Sequence, residues 1–239
     1  MMLRKTACAL TLMFSGLSIA QPAAAATILI TYTGTVVDGS DGIGLFGDPN
    51  KSLMNAKFTS VYTLTYPSQG SGENISNPGI HVIYGGTSFN QSPPSPLSGQ
   101  LTINGRTVFV DGQDNAYHAL VSPASNASGK FSEISDLVIS NQNKLLVNVI
   151  LNNSGDNFIS SLNFADELSH TVISSDESRG GFSTTNDSGQ STQANFKNLT
   201  VSVQEVSAVP EPATWGMMIF GFGIAGVTLR VRRREAALA

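Results

Sequence analysis

Apolar and polar residues alternate with a period of two along much of the chain. Ile28, Ile30, Tyr32, Gly34 and Val36 fall on one face, and Phe58, Tyr62, Leu64 and Tyr66 on another. Leu199, Val201 and Val203 alternate with Asn198, Thr200 and Ser202. Successive side chains of a strand point to opposite sides, so this pattern predicts strands with one buried and one wet face. Leu101–Ile103 and Arg106–Phe109 flank Asn104-Gly105, the signature of a type I′ hairpin whose turn needs φ > 0 twice. Leu137–Ile139 and Leu145–Leu151 flank Asn141-Gln142-Asn143 and predict a second hairpin. Further strands are expected near His81–Tyr84, Tyr117–Val121, Phe158–Phe164 and Thr171–Ser174, with a short helical turn allowed at Phe164–Leu168. Short strands with turn-rich joins predict a mainly β, antiparallel β-sandwich or jelly-roll-like domain. Ser92–Pro96 is a polyproline-like break, expected as a long loop in one sandwich rather than a boundary between two domains. Ser174–Gln193 is rich in Ser, Gly, Thr and Asp and reads as an exposed loop around one short strand.

Both ends depart from this pattern. Arg4 and Lys5 precede an apolar run from Ala7 to Ala20, and Ala23–Ala26 offers an A-x-A site, so residues 1–26 read as a cleaved signal peptide. The Sec translocon and a signal peptidase are the partners such a segment requires. At the other end, Pro210, Glu211, Pro212 and Trp215 lead into the uncharged run Ala213–Leu229. Those 17 residues make a helix of about 25 Å, close to the thickness of a bilayer core. Trp215 suits the membrane interface, and Arg230, Arg232, Arg233 and Arg234 suit the cytoplasmic side. The expected organisation is signal peptide 1–26, ectodomain 27–205, tether and Pro-Glu-Pro 206–212, transmembrane helix 213–229 and cytoplasmic basic tail 230–239.

Pro210, Glu211, Pro212, Trp215, the glycine-bearing apolar run (Gly221, Gly223, Gly226) and the terminal arginines together resemble the PEP-CTERM sorting signal of Gram-negative bacteria. Gly216 stands where the PEP-x-x-W-A variant has alanine, and the residue stays small. The resemblance implies anchoring in the inner membrane and processing by an exosortase, a membrane-embedded cysteine-type transpeptidase. It further implies delivery to the envelope surface or extracellular matrix, with exopolysaccharide as a possible attachment partner. This chain is then the substrate of that enzyme.

Charge and cysteine count narrow the partners. Residues 27–209 carry 7 Lys/Arg and 15 Asp/Glu, a formal charge of 7 − 15 = −8. An acidic ectodomain argues against nucleic acid, whose phosphates need a basic face. Cys8, the single cysteine, lies in the signal segment, so the mature chain has no disulfide.

Candidate chemistry is sparse. His81, His118 and His170 are far apart and lack metal-ligand spacing, so they read as ordinary surface or edge-strand histidines. The sequence has no G-x-S-x-G elbow and no P-loop. Val37–Asp48 is a Gly/Asp-rich loop in which Asp38, Asp41 and Asp48 are oxygen-ligand candidates for Ca²⁺. A tight glycine loop with Leu45 and Phe46 plugging the core accounts for it more simply, and turn chemistry accounts equally for Asp111–Asn115. N-x-S/T triplets, among them those at Asn74, Asn90, Asn126, Asn152, Asn186 and Asn198, read as turn and surface residues. No catalytic residue or cofactor is expected. The leading expectation is a non-enzymatic exported surface protein. The alternative is a carbohydrate-binding module or glycan-acting hydrolase, with Tyr32, Tyr62, Tyr66, Tyr84 and Tyr117 as stacking platforms.

Overall fold

The structure, a computed structural model, describes residues 25–206 apart from 68–70, 76–78, 88–94, 126–130, 143–144 and 174–176; beyond them it describes only Phe222. Ala25–Val209 form one compact unit. Its strands are β1 (Ala26–Asp41), β2 (Lys51–Ser52), β3 (Lys57–Tyr66), β4 (Gly72–Asn74), β5 (Ile80–Gly85), β6 (Leu97–Ile103) and β7 (Arg106–Val110). They continue with β8 (Asn115–Val121), β9 (Phe131–Gln142), β10 (Leu145–Asp156), β11 (Leu168–Thr171), β12 (Glu177–Asn186) and β13 (Ser191–Val206). All pair antiparallel in a single sheet of order β4-β5-β8-β9-β10-β12-β13-β1-β3-β6-β7, with β11 on β13 and β2 on β1.

The period-two faces behave as the alternation predicts. Ile28, Ile30, Tyr32 and Val36 point inward from β1, Phe58, Tyr62 and Leu64 from β3, and Leu199, Val201 and Val203 from β13. The Asn-Gly hairpin joins β6 to β7, with φ of 52° at Asn104 and 76° at Gly105 as a type I′ turn demands. The second hairpin is β9–β10.

The sheet curls until distant strands face one another. Tyr32 of β1 hydrogen-bonds Asp136 of β9, and the Tyr62 hydroxyl of β3 donates to the Val149 carbonyl of β10 at 3.4 Å. The buried side chains form one core, in which Tyr32 and Tyr62 meet edge to face at 5.9 Å and Phe58 stacks on Phe196 at 4.0 Å. Rings in such contact add about 0.5–1.5 kcal/mol to their area burial.

Four local expectations are corrected. Much of Ser174–Gln193 is not a loop around one short strand: it contains β12, ten residues long and paired on both sides by β10 and β13. Central pairing overrides the low strand propensity of Ser and Gly. Phe182 and Thr184 supply the inward face, and a side chain at Gly180 would strike Leu151. Phe158–Phe164 forms no strand, and Phe164–Leu168 forms no helix. Asn163 organises that stretch instead: its Oδ1 accepts from Ala165 N and its Nδ2 donates to Asp166, closing a turn. The strand expected at Thr171–Ser174 lies earlier, at β11, where it pairs with Thr200–Val203.

Candidate functional site

Two chemically matching triplets lie on either side of Phe164. The first is sealed. Asp136 sits between Ile134 and Val138 on the inward face of β9, and none of the three is exposed. Its Oδ1 lies 2.8 Å from Nδ1 of His118, its register partner on β8, and its Oδ2 accepts the Tyr32 hydroxyl at 2.7 Å. Burial, and then the charge of Asp136, hold the Tyr32 phenol well above its ordinary range, so it stays a donor. Facing a carboxylate, His118 Nδ1 carries the hydrogen, and with that tautomer Nε2 presents a lone pair. That Nε2 is buried and has no hydrogen-bond partner among the described residues.

The second triplet is open. Glu73 of β4 is 38% exposed, and its Oε1 receives both the Tyr66 hydroxyl at 2.8 Å and His81 Nε2 at 2.5 Å. His81 Nδ1 is 2.7 Å from the Leu162 carbonyl, so both ring nitrogens face acceptors. The hydrogen bond from His81, followed by that from Tyr66, outweighs partial burial and lowers the Glu73 carboxyl below its usual range. The Tyr66 phenol is raised, first by its bond to Glu73 and then by burial. Phe164 stacks on His81 at 3.9 Å, meets His118 edge-on at 4.9 Å and Tyr66 at 5.2 Å.

A pit of about 20 Å³ opens beside Phe164. His118 lies in its floor; Ser160, Asn163, Asp166 and Glu167, all exposed, form its rim. This volume holds one water-sized group.

For His81 and His118 these positions correct the expectation of ordinary surface or edge-strand histidines, whereas His170 lies half-buried on β11, which among the described residues pairs only with β13. His118 is fully buried and His81 is 7% exposed, and β5 lies between β4 and β8 rather than at an edge. The available signal was phase: His118 alternates with Tyr117 and Ala119, so it shares the apolar face of Ala116 and Leu120. Two proposed stacking platforms are lost as well, because Tyr32 and Tyr62 are fully buried.

The Asp-rich loop is built around Asp41. Its Oδ1 accepts from Gly44 N, Leu45 N and the Thr192 hydroxyl, and its Oδ2 from Phe46 N, all at 2.7–2.9 Å. The carboxylate thereby pins the loop and seats Phe46 against Phe182 at 5.2 Å. Asp38 and Asp48 are exposed, and no group of three or more potential metal ligands occurs among the described residues.

Pro210, Glu211, Pro212, Trp215, Gly216, Arg230, Arg232, Arg233 and Arg234 lie outside the described residues, as do residues 1–24 of the signal peptide and the transmembrane span apart from Phe222. Among the described residues no helix is long and apolar enough to cross a membrane. No curated protein and no solved structure matches the chain. Residues 208–234 match the family model of the PEP-CTERM protein-sorting motif. That motif marks exported proteins that are anchored in a membrane and then processed by an exosortase, and this chain carries it at residues 208–234.

Proposed function

We propose that the protein is a non-enzymatic surface or matrix component whose β-domain is displayed outside the cell. In this reading residues 1–26 are removed on export. The span 213–229 holds the chain in the inner membrane, with Arg230 and Arg232–Arg234 on the cytoplasmic side. Exosortase recognition rests on Pro210, Glu211, Pro212 and Trp215, after which the domain passes to the envelope surface or matrix. We further read the curled sheet as a sandwich, supported by the hydrogen bonds between facing strands.

The observation that carries the proposal is the sorting motif, which starts at residue 208, two positions after the end of β13 at Val206. The ends of the domain support it, since Thr27 of β1 pairs with Val206 of β13. The first and last strands of the domain therefore end side by side. Mass measurement of the mature protein from cells with and without the exosortase tests the scheme. Loss of mass at both ends, the C-terminal loss depending on the enzyme, is the expected result. An intact tail in both strains would instead mean a permanently anchored protein.

A further inference from the structure

The pit beside Phe164 joins two independent features. At its floor lies a buried imidazole whose Nδ1 edge is taken by Asp136, a residue outside the pit wall, which leaves its Nε2 edge. Nε2 on that edge is the atom without a partner. A buried polar atom left without a hydrogen bond is destabilising, and a ligand that supplied the bond would recover that loss. At the rim stand Asp166 and Glu167, and no lysine or arginine lines the pit among the described residues. Ile159, Leu168 and Val203 form apolar walls between floor and rim. The site therefore offers an acceptor at the bottom, a narrow apolar collar and negative charge at the mouth.

We propose that this pit is a binding site for a primary ammonium group. A –NH₃⁺ head is close to water in size, carries three donors and no acceptor, and matches both the floor and the rim. One N–H donates to His118 Nε2, the attached carbon lies in the apolar collar, and the charge is offset by Asp166 and Glu167. Glu167 is the less committed of the two, since Asp166 also accepts from Asn163 Nδ2 at 2.8 Å. The Tyr32–Asp136–His118 chain holds the ring so that its lone pair faces the pit. A quaternary ammonium lacks the N–H and is too wide. An alkali cation would meet only one neutral nitrogen at the floor.

The chain contains only three histidines, so the ring ¹⁵N signals of the full-length protein in detergent can be assigned with His81→Gln and His170→Gln variants. Methylammonium chloride is the probe, with sodium chloride and tetramethylammonium chloride at equal ionic strength as controls. The expected result is a saturable shift of His118 Nε2 with methylammonium alone. Asp166→Asn/Glu167→Gln, at exposed positions, should weaken it roughly tenfold, as expected for losing two exposed ion pairs. No saturable shift, an equal shift with sodium, or an unchanged affinity in the double variant would overturn the proposal and leave the pit as a site for water only.

Discussion

Tyr32–Asp136–His118 and Tyr66–Glu73–His81 are the same three groups in two environments. In each a carboxylate accepts from a tyrosine hydroxyl and lies against an imidazole nitrogen, and both histidines pack on Phe164. Burial separates them. Asp136 is fully enclosed and splits its partners between two oxygens, whereas Glu73 receives both on Oε1 and is 38% exposed. In the enclosed triplet every lost partner leaves an unsolvated charge; in the open one water can take the vacated place. The pair shows that composition of a network does not set its worth, while access of water does.

Breaking the sealed triplet should cost most. Asp136→Ala strands Tyr32 and His118 without partners and should destabilise the domain by about 3–5 kcal/mol, read from the denaturant midpoint. A cost below 1 kcal/mol would mean that the triplet is solvated. Alkaline pH sharpens the contrast. Burial raises both the Tyr32 and Tyr62 phenols well above their ordinary range, followed by the charge of Asp136. The folded domain keeps those protons while the unfolded chain releases them near pH ~10. The unfolded state then binds fewer protons, so stability is intact below that pH and falls as pH rises, by roughly 1.4 kcal/mol per pH unit for each phenol. Unfolding curves at pH 8, 10 and 11 measure it, and Tyr32→Phe should shallow the slope. The open triplet should yield least. Glu73→Gln should cost under about 1 kcal/mol, because exposed ion pairs are screened. The lowered Glu73 carboxyl contributes stability above the ordinary carboxylate value near ~4.3, and this is lost as pH falls through its lower folded value. Acid titration of wild type against Glu73→Gln should converge at the acid end.

Legibility followed the range of the interactions. Asn104-Gly105 could be read because its turn chemistry is local, and the faces of β1, β3 and β13 because alternation is local too. β12 was hidden because its evidence lies in β10 and β13, which supply its partners, rather than in its own Ser- and Gly-rich composition. Asp136 and His118 are 18 positions apart and meet only through the β8–β9 register, and Tyr32 arrives 104 positions away. Their shared hint was a polar residue in the apolar phase of a strand. The Gly/Asp-rich loop was legible as a tight turn, but that three backbone amides and the distant Thr192 hydroxyl converge on Asp41 was not.

The β1–β13 register also sets a schedule. Strand β1 is synthesised first and lies between β3 and β13, yet β13 is made last, ending at Val206. An exported chain that emerges amino end first can complete the hairpins β6–β7 and β9–β10 as they appear, because their contacts are close in sequence. The inner edge of β1 must wait for nearly the whole domain, a pairing of very high contact order. Closure of the sheet thus waits for the residues that stand immediately ahead of the sorting motif, so the domain cannot be complete until the chain has been made up to the start of that motif.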